Sequence, residues 1–249
     1  MARTITVISQ KGGTGKTSLI QNVGAEIARR GERVLLIDDD PQGNLTTGWG
    51  IKGKELKRTL YEALQQPDLT ASIILPLRPD LSLLPSNLNL SAAELAFANV
   101  KDQNLRLRAV IQQVEKYFDY VLIDTPPSLG FFTINALMAA TEAIIPLQTQ
   151  FYSFQAIDAI LEILEAIRKN HNIKLTGIVL SMHDPRNSLT NNITKLVKEQ
   201  FQEIVFNTVI PINIRIAEAP LEGMSVGELE PHSKGALAFK ELSTEILAR

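Results

Sequence analysis

A glycine-rich stretch near the start of the chain has the residue types that bind phosphate. Residues 10–17 read QKGGTGKT and directly follow the apolar run TITVIS. Glycines at these positions allow a tight turn that points backbone N–H groups at one anion, beside the N-terminus of the next helix. Lys16 is placed to reach the β- and γ-phosphates of a nucleotide, and the Thr17 hydroxyl to ligate Mg²⁺ directly. The stretch therefore predicts a site for Mg²⁺ and a nucleoside triphosphate.

Two features separate this stretch from the common phosphate-loop pattern G-x-x-x-x-G-K-[ST]. Gln10 stands where that pattern has its first glycine, and Lys11 is a lysine that the pattern does not require. A glycine-rich turn with an incidental GKT is the alternative, but a strand-like run before it and a helical period after it favour the phosphate loop. The predicted nucleotide-binding residues of the loop are Gly12, Gly13, Thr14, Gly15, Lys16, Thr17 and Ser18.

Acidic residues follow two other apolar runs. VLLIDDDPQGN places Asp38, Asp39 and Asp40 after one run, and YVLIDTPPSLG places Asp124 after another. Ligands of doubly wound folds bind at the carboxyl ends of strands, and Asp38 and Asp40, two residues apart, point to the same side. Carboxylates beside a triphosphate hold Mg²⁺ or its waters, or position the attacking water. Capping of a loop is the alternative role.

These motifs together resemble the deviant Walker-A ATPases, the family that includes ParA and MinD, whose loop reads K-G-G-x-G-K-[ST]. The segments DDDPQGNLTTGWG, YVLIDTPPSLGFFTINAL and VIPINIRIAEAP are similar to the chromosomal and small-plasmid ParA branch. The resemblance covers nearly the whole chain. DTPPSLG resembles the switch II loop of this family, which changes with the γ-phosphate.

The resemblance implies a role for each residue of the site. Lys11 would cross a dimer interface and contact the nucleotide of the partner, and Asp40 would position the hydrolytic water, so Lys11 and Asp40 are the predicted catalytic residues. Asp38 and Asp124 would approach Mg²⁺ through water. A second ammonium on the phosphates makes physical sense when two subunits sandwich ATP.

Further binding residues are also implied by the resemblance. Nonspecific DNA binding in this family depends on basic residues, and the matching positions are Arg186, in DPRN, and Arg215, in NIRIAEAP. MHDPRNSLT matches the family motif only loosely, and a plain surface role is the alternative for either arginine. The adenine is expected near Met182 and Pro211.

The function implied by the resemblance is that of a positioning ATPase. ATP and Mg²⁺ would bring two copies together, the homodimer would bind double-stranded nucleoid DNA without sequence preference, and a ParB-like or other cargo-bound adaptor would trigger a hydrolysis that is slow alone. The cargo would be a plasmid, a chromosome region or a protein compartment such as a carboxysome. The protein is expected in the cytoplasm and on the nucleoid when ATP is bound, with no membrane partner.

Short β-branched runs alternate with segments of helical period along the chain. This order predicts an α/β fold, a doubly wound and mostly parallel sheet with helices on both faces. Residues 50–80, interrupted by prolines, are left unassigned. No linker or repeat is visible, so residues 1–249 are predicted to form a single deviant Walker-A ATPase domain, with no DNA-reading domain before it. The predicted strands are 4–9, 33–38, 81–85, 120–124, 143–148, 176–181 and 206–211.

Two helices are predicted from the spacing of apolar residues. The first begins around Thr17 and stops at Gly31, and its buried stripe contains Ile20, Val23 and Ile27. The second covers about 154–169, with Ser153 as its N-cap. Its predicted buried stripe is Phe154, Ile157, Ile160, Leu161, Leu164 and Ile167.

Composition narrows the alternatives. The chain has 249 residues, 45% of them hydrophobic and 21% charged, which is typical of a soluble globular protein. It has no cysteine, which excludes a disulfide scaffold, thiolate zinc and a cysteine-ligated iron–sulfur cluster. The net charge is −2, so any DNA binding must come from a local basic patch.

Two other functions remain open. A MinD-like membrane ATPase would need a basic amphipathic C-terminal helix. The tail KGALAFKELSTEILAR has an apolar stripe at Phe239, Leu242 and Ile246, but its mixed charges favour a helix packed on the domain. A metabolic or electron-transfer enzyme of the same nucleotide-binding group is the third possibility, although a small-molecule kinase would not need Lys11.

Overall fold

Eight strands form one sheet in the order β3-β4-β2-β5-β1-β6-β7-β8. The computed structural model describes residues 2–149 and 153–249, with side chains except those of 153–156. Neighbouring strands are parallel throughout, apart from the antiparallel pair β3–β4. The strands are β1 Arg3–Val7, β2 Val34–Asp38, β3 Leu75–Arg78, β4 Leu81–Leu84, β5 Tyr120–Asp124, β6 Glu142–Gln148, β7 Lys174–His183 and β8 Val205–Pro211.

Helices cover both faces of this sheet, because its central strands are apolar on both sides. In β2, Leu35 and Ile37 pack into one hydrophobic core, and Val34 and Leu36 pack into the other. The first core is closed by α3–α9, and the second by α1, α2, α11 and α12. The helices are α1 Lys16–Ala28, α2 Asn44–Gly48, α3 Leu60–Gln65, α4 Thr70–Ile73, α5 Ala92–Phe97, α6 Arg106–Gln112, α7 Phe131–Ala139, α8 Ser153–Arg168, α9 Ser188–Phe201, α10 Ile214–Glu218, α11 Val226–Leu229 and α12 Lys234–Ala248.

The predicted fold class is confirmed, and so are the seven predicted strands, each within two residues of its predicted ends. The additional strand is β3, in the stretch left unassigned. It contains Pro76, precedes Pro79 and lies at the edge of the sheet. An edge strand tolerates proline, because its outer N–H groups have no ladder partner to bond.

The two predicted helices are present. Helix α1 begins at Lys16, and Ile20, Val23 and Ile27 are buried as predicted. Helix α8 begins at Ser153. The side chains of Ser153 and Phe154 lie outside the described residues, so the predicted cap and the first apolar contact stay predictions. The rest of the predicted stripe is buried, except for the half-buried Leu161: Ile157, Ile160, Leu164 and Ile167.

Candidate nucleotide-binding site

The phosphate loop joins the end of β1 to the start of α1 and is braced by neighbouring strands. Gly13 and Gly15 have φ of 74° and 89°, left-handed values that only glycine adopts readily. The Ser181 hydroxyl donates to the carbonyl of Thr14 at 2.8 Å, and the Gln148 amide donates to the carbonyl of Gly13. These bonds come from the carboxyl ends of β7 and β6, so two neighbouring strands brace the loop.

Two lysines of this loop have opposite environments. Lys11 is exposed, whereas the side chain of Lys16 is buried. Burial lowers the pKa of Lys16, and the carboxylates of Asp124 and Asp40 oppose that shift. The buried ammonium of Lys16 therefore faces the acidic residues, whereas Lys11 lies at the surface.

Asp38 and Asp124 lie side by side at the carboxyl edge of the sheet, because their strands are paired in register. Both side chains are fully buried. Burial raises the pKa of Asp124 to about 8, and the neighbouring Asp38 adds to the shift. Burial also raises the pKa of Asp38 to about 6, against hydrogen bonds from Thr46 that lower it. The structure thus brings together two carboxylates that the sequence analysis had placed at the carboxyl ends of separate strands.

The hydroxyl of Thr17 donates to Asp124 Oδ2 at 2.7 Å. The other oxygen, Asp124 Oδ1, is buried and has no hydrogen-bond partner among the described residues. In that part of the chain, no group of three or more His, Cys, Asp or Glu side chains could hold a metal ion. The residues fit a Mg²⁺ held by the Thr17 hydroxyl, water and phosphate oxygens, since Mg²⁺ keeps several waters and Asp124 Oδ1 can accept from one.

Asp40 lies on the loop after β2. Its carboxylate accepts from the backbone N–H of Gln42 at 2.9 Å, and its carbonyl accepts from the Ser86 hydroxyl at 2.9 Å. Asp40 also lines a cavity of about 320 Å³ together with Asn44, Pro127 and the phosphate loop. Asp40 thus caps its own turn, which is the alternative role considered for the acidic residues in the sequence analysis. It also borders the cavity beside the phosphate loop.

Three features of the site were not predicted. Asp38 Oδ2 accepts from both the N–H and the hydroxyl of Thr46, at 2.8 and 2.6 Å, which ties α2 to the end of β2. Ser181 braces the loop from β7. Asp39 is buried, neither carboxylate oxygen has a described partner, and burial raises its pKa well above the ordinary value. The sequence did contain a signal for Asp39. Side chains alternate in direction along an extended chain, so the middle one of three consecutive acidic residues points away from the other two.

Met182 and Pro211 line a second cavity of about 340 Å³, which also contacts Gly15 and Ser18 of the phosphate loop. Its walls are mostly apolar, and Phe239 closes one side. Met182 adopts a φ of 52° at the end of β7. An apolar cleft next to a phosphate loop suits a flat base, so the geometry is compatible with the predicted adenine position.

The two arginines predicted to bind DNA lie after the ends of adjacent strands, β7 and β8. Arg186 is exposed and pairs with Asp184 at 2.9 Å, and Arg215 pairs with Glu218 at 2.7 Å. Exposed pairs of this kind contribute little to stability, so a phosphate can compete for either guanidinium. Together the arginines form one corner of the carboxyl edge.

The C-terminal helix α12 packs on the domain. Its apolar stripe of Phe239, Leu242 and Ile246 is buried in the second core. The guanidinium of Arg249 donates to the carbonyls of Thr176 and Val205 and lies over the ring of Phe206. Within the described ranges, no helix is long and apolar enough to span a bilayer.

Comparison with known proteins identifies the family. Residues 2–177 match a family described as AAA domain. The whole chain is 36% identical to the sporulation initiation inhibitor protein Soj of Bacillus subtilis and covers 99% of it. Over 99% of its length it is 37% identical to the chromosome partitioning protein ParA of Caulobacter vibrioides, of which it covers 94%. The chain belongs to the ParA/Soj family. The resemblance seen in its motifs is confirmed.

A solved structure supports the same fold for this ParA/Soj-family chain. Cobyrinic acid a,c-diamide synthase from Mycobacterium smegmatis, with bound ADP and magnesium, superposes with a TM-score of 0.88 at 29% identity. The match covers 99% of this chain and 94% of that one. The phosphate loop and acidic edge of the ParA/Soj-family chain therefore lie in a fold that holds a nucleotide and magnesium in a relative.

The raised carboxyl pKa values predict that the nucleotide-free protein loses stability as pH rises. Between the unfolded value of 3.8 and about 6, the folded chain holds protons on both Asp38 and Asp124 that the unfolded chain has released, and between about 6 and about 8 it still holds the proton on Asp124. The free energy of unfolding should therefore fall from pH 5 to pH 8. Tm should fall by about 2–4 °C for each kcal/mol lost. Thermal unfolding in EDTA measures it.

Two variants test the cause of that slope. Asp124→Asn should make the fall of stability with pH shallower, because an amide does not ionise and only the other buried carboxyl groups then contribute. Asp119→Asn should leave the pH dependence unchanged, because the half-buried Asp119, with its pKa lowered to about 2 by Arg33, is already ionised throughout this range. An equal slope in wild type and Asp124→Asn would contradict the assignment.

Proposed function

We propose that this chain is a ParA-type positioning ATPase that dimerises around ATP, binds DNA without sequence preference and moves a cargo. The observation that carries the proposal is the pair of lysines in one braced loop, with Lys16 buried against the acidic edge and Lys11 exposed. One lysine serves the nucleotide of its own subunit. The other is placed for a nucleotide in a second copy.

ATP and Mg²⁺ are the cofactors of this site. The backbone of residues 12–17 and the ammonium of Lys16 would hold the phosphates, and the Thr17 hydroxyl would ligate the metal. Asp38 and Asp124 would accept hydrogen bonds from water on the metal. Bound Mg²⁺ supplies charge neutralisation on the β- and γ-phosphates. Asp40, bordering the cavity beside the loop, orients the attacking water and accepts its proton.

Dimerisation follows from charge. A triphosphate carries more negative charge than one buried lysine and one Mg²⁺ cancel, so a further ammonium beside it is favourable when water is excluded. Lys11 of each subunit supplies that ammonium to the other. With ADP, less phosphate charge remains to hold the second subunit, and the dimer separates.

DNA binding is assigned to Arg186 and Arg215. The two arginines lie at one corner of the carboxyl edge, and a dimer has two such corners. Contacts from a few arginines to phosphates give weak, salt-sensitive and sequence-independent binding. A cargo-bound adaptor, ParB-like or of another kind, then stimulates a slow hydrolysis and releases the dimer. We propose that residues 1–249 form one ATPase domain, which acts in the cytoplasm and, in its ATP state, on the nucleoid.

The other functions are less well supported. A MinD-like membrane role needs an available amphipathic helix, whereas the apolar stripe of α12 is buried in the domain. A biosynthetic role has the support of the Mycobacterium smegmatis structure, at 29% identity, but gives no purpose to Lys11. Sedimentation of the protein with liposomes in the presence of ATP would favour the membrane role. ATPase activity in a protein that stays monomeric would favour the biosynthetic role.

Charge reversal at Arg215 tests the DNA surface. Arg215→Glu should weaken ATP-dependent DNA binding by about tenfold or more at low salt and leave dimerisation intact. The slope of log K against log salt should fall by about 2, one for each subunit. Fluorescence anisotropy with a labelled duplex over a salt series measures both quantities.

Arg33→Glu is the matched control. Arg33 pairs with Asp119 at 2.7 Å with 51% of its side chain exposed, and Arg215 pairs with Glu218 at the same distance with 49% exposed. Arg33 lies at the amino edge of the sheet, opposite the proposed surface. Equal losses in both variants, or unchanged binding in Arg215→Glu, would place the DNA surface elsewhere.

A further inference from the structure

Gln21 is a buried polar side chain that joins two distant segments of the chain. Only 1% of its surface is exposed. Its amide nitrogen donates to the carbonyl of Gly48 at 2.9 Å and to the carbonyl of Met224 at 3.0 Å. Both N–H groups of the Gln21 amide therefore donate hydrogen bonds, one to the segment that contains Gly48 and one to the segment that contains Met224. Neither the phosphate loop nor the acidic edge accounts for this arrangement.

The two segments also touch directly. Gly50 and Gly223 approach so closely that a Cβ on Gly223 would lie 3.1 Å from the Cα of Gly50. Arg78 reinforces the contact from outside, because its guanidinium lies over the ring of Trp49 and donates to the carbonyl of Gly223 at 3.1 Å. Residues 48–50 and 223–224 are thus held together by two contacts. The buried Gln21 amide forms the inner contact, and the exposed Arg78 side chain forms the outer one.

One of these segments leads to the nucleotide site. Helix α2 ends at Gly48, and Thr46 in the same helix is bonded twice to Asp38. Gln21 itself lies four residues after Thr17, on the same face of α1. Any movement of the loop after β2 would therefore act on the carbonyl of Gly48, to which Gln21 donates.

The other segment leads to α10, the helix that carries Arg215. The N–H of Met224 donates to the carbonyl of Ala219 at 3.2 Å, and Ala219 directly follows the last residue of α10. Ala219 is buried, so this end of α10 is fixed in the core. A shift of Met224 is passed to α10 through this bond and the short turn between them.

We propose that Gln21 is a positioning residue that couples the catalytic loop after β2 to the segment that carries Arg215. Nucleotide-driven movement of residues 40–50 is transmitted through the Gln21 amide to residues 219–226. The effect on ATP-dependent DNA binding rests on the proposed function, whereas the coupling between the two segments does not. Without the amide, the nucleotide still binds, but the second segment no longer responds.

Gln21→Met tests the coupling, since methionine has a similar length and no donor. Hydrogen exchange is measured with and without Mg²⁺ and a non-hydrolysable ATP analogue. In the wild type, both the phosphate loop and residues 219–226 should become protected. In Gln21→Met, the loop should stay protected, the dimer mass should persist and the protection of 219–226 should disappear. ATP-dependent strengthening of DNA binding should fall by about tenfold.

Two further variants complete the experiment. Arg30→Met is the control, because Arg30 also ties α1 to the C-terminal part of the chain, through Lys240 and Thr244, but far from the phosphate loop. It should retain the protection of 219–226. Arg78→Met removes the outer contact at an exposed position and should reduce that protection in part, which provides a test even where Gln21→Met folds poorly.

Each other outcome overturns the coupling. Full protection of 219–226 in Gln21→Met, or none in wild type whose loop is protected, shows that the segments are independent. Loss of nucleotide binding in Gln21→Met would make Gln21 part of the site itself. A wild-type loop that is not protected at all would instead refute the proposed nucleotide function, which is a separate failure.

Discussion

Lys16→Ala should abolish measurable nucleotide binding. The Lys16 ammonium is buried next to Asp124 and Asp40, so it is the cation that makes an otherwise acidic cavity acceptable to phosphate. Removing it leaves buried carboxylates facing the triphosphate, a change that typically costs several kcal/mol. We expect affinity for a fluorescent ATP analogue to fall by about 100-fold or more, with dimerisation lost as a consequence.

Lys169→Ala is the control for that loss. Lys169 is exposed and follows the end of α8, which places it before β7 at the amino edge of the sheet, away from the phosphate loop. Lys169→Ala removes the same charge as Lys16→Ala and should leave the affinity for the ATP analogue unchanged. Binding by Lys16→Ala within about threefold of wild type would show that this ammonium does not face the phosphates.

Asp40→Ala should trap the ATP-bound dimer. The groups assigned to the phosphates, Lys16 and Thr17, are intact in this variant, so ATP and Mg²⁺ still bind. The carboxylate that borders the cavity, and that we propose orients the attacking water, is gone, so turnover should fall by about 10²-fold or more. Phosphate release and chromatography with light scattering measure the two effects together.

Asp68→Ala controls for the loss of one negative charge, since Asp68 is an exposed residue in a turn after α3. It should turn over ATP at the wild-type rate and separate after hydrolysis. An Asp40→Ala protein that hydrolyses ATP normally would remove Asp40 from its catalytic role.

Local sequence was sufficient for most of the sheet. The buried strands read as continuous apolar runs, and their polar ends mark the carboxyl edge, which is why Asp38 and Asp124 could be placed together. Strand β3 gave no such signal, because it alternates between half-buried and exposed residues and contains a proline. Its strand conformation depends on β4, which lies beside it.

The phosphate loop could be predicted because its chemistry lies within a few consecutive residues. The contacts around it could not, since they join residues far apart in the chain. Gln21 and Met224 are separated by 203 positions, and Ser181 and Thr14 by 167. No periodicity or motif in one sequence reports such pairings. The orphaned carboxylate of Asp39 likewise becomes visible only once the strands are packed.

The central claim is that Lys11 of one subunit completes the nucleotide site of the other. Light scattering on Asp40→Ala with Mg²⁺ and ATP, compared with the Lys11→Ala/Asp40→Ala double variant, tests it most directly. We expect the single variant to run as a dimer and the double variant as a monomer that still retains bound ATP. A double variant that remains a dimer with ATP would contradict the account.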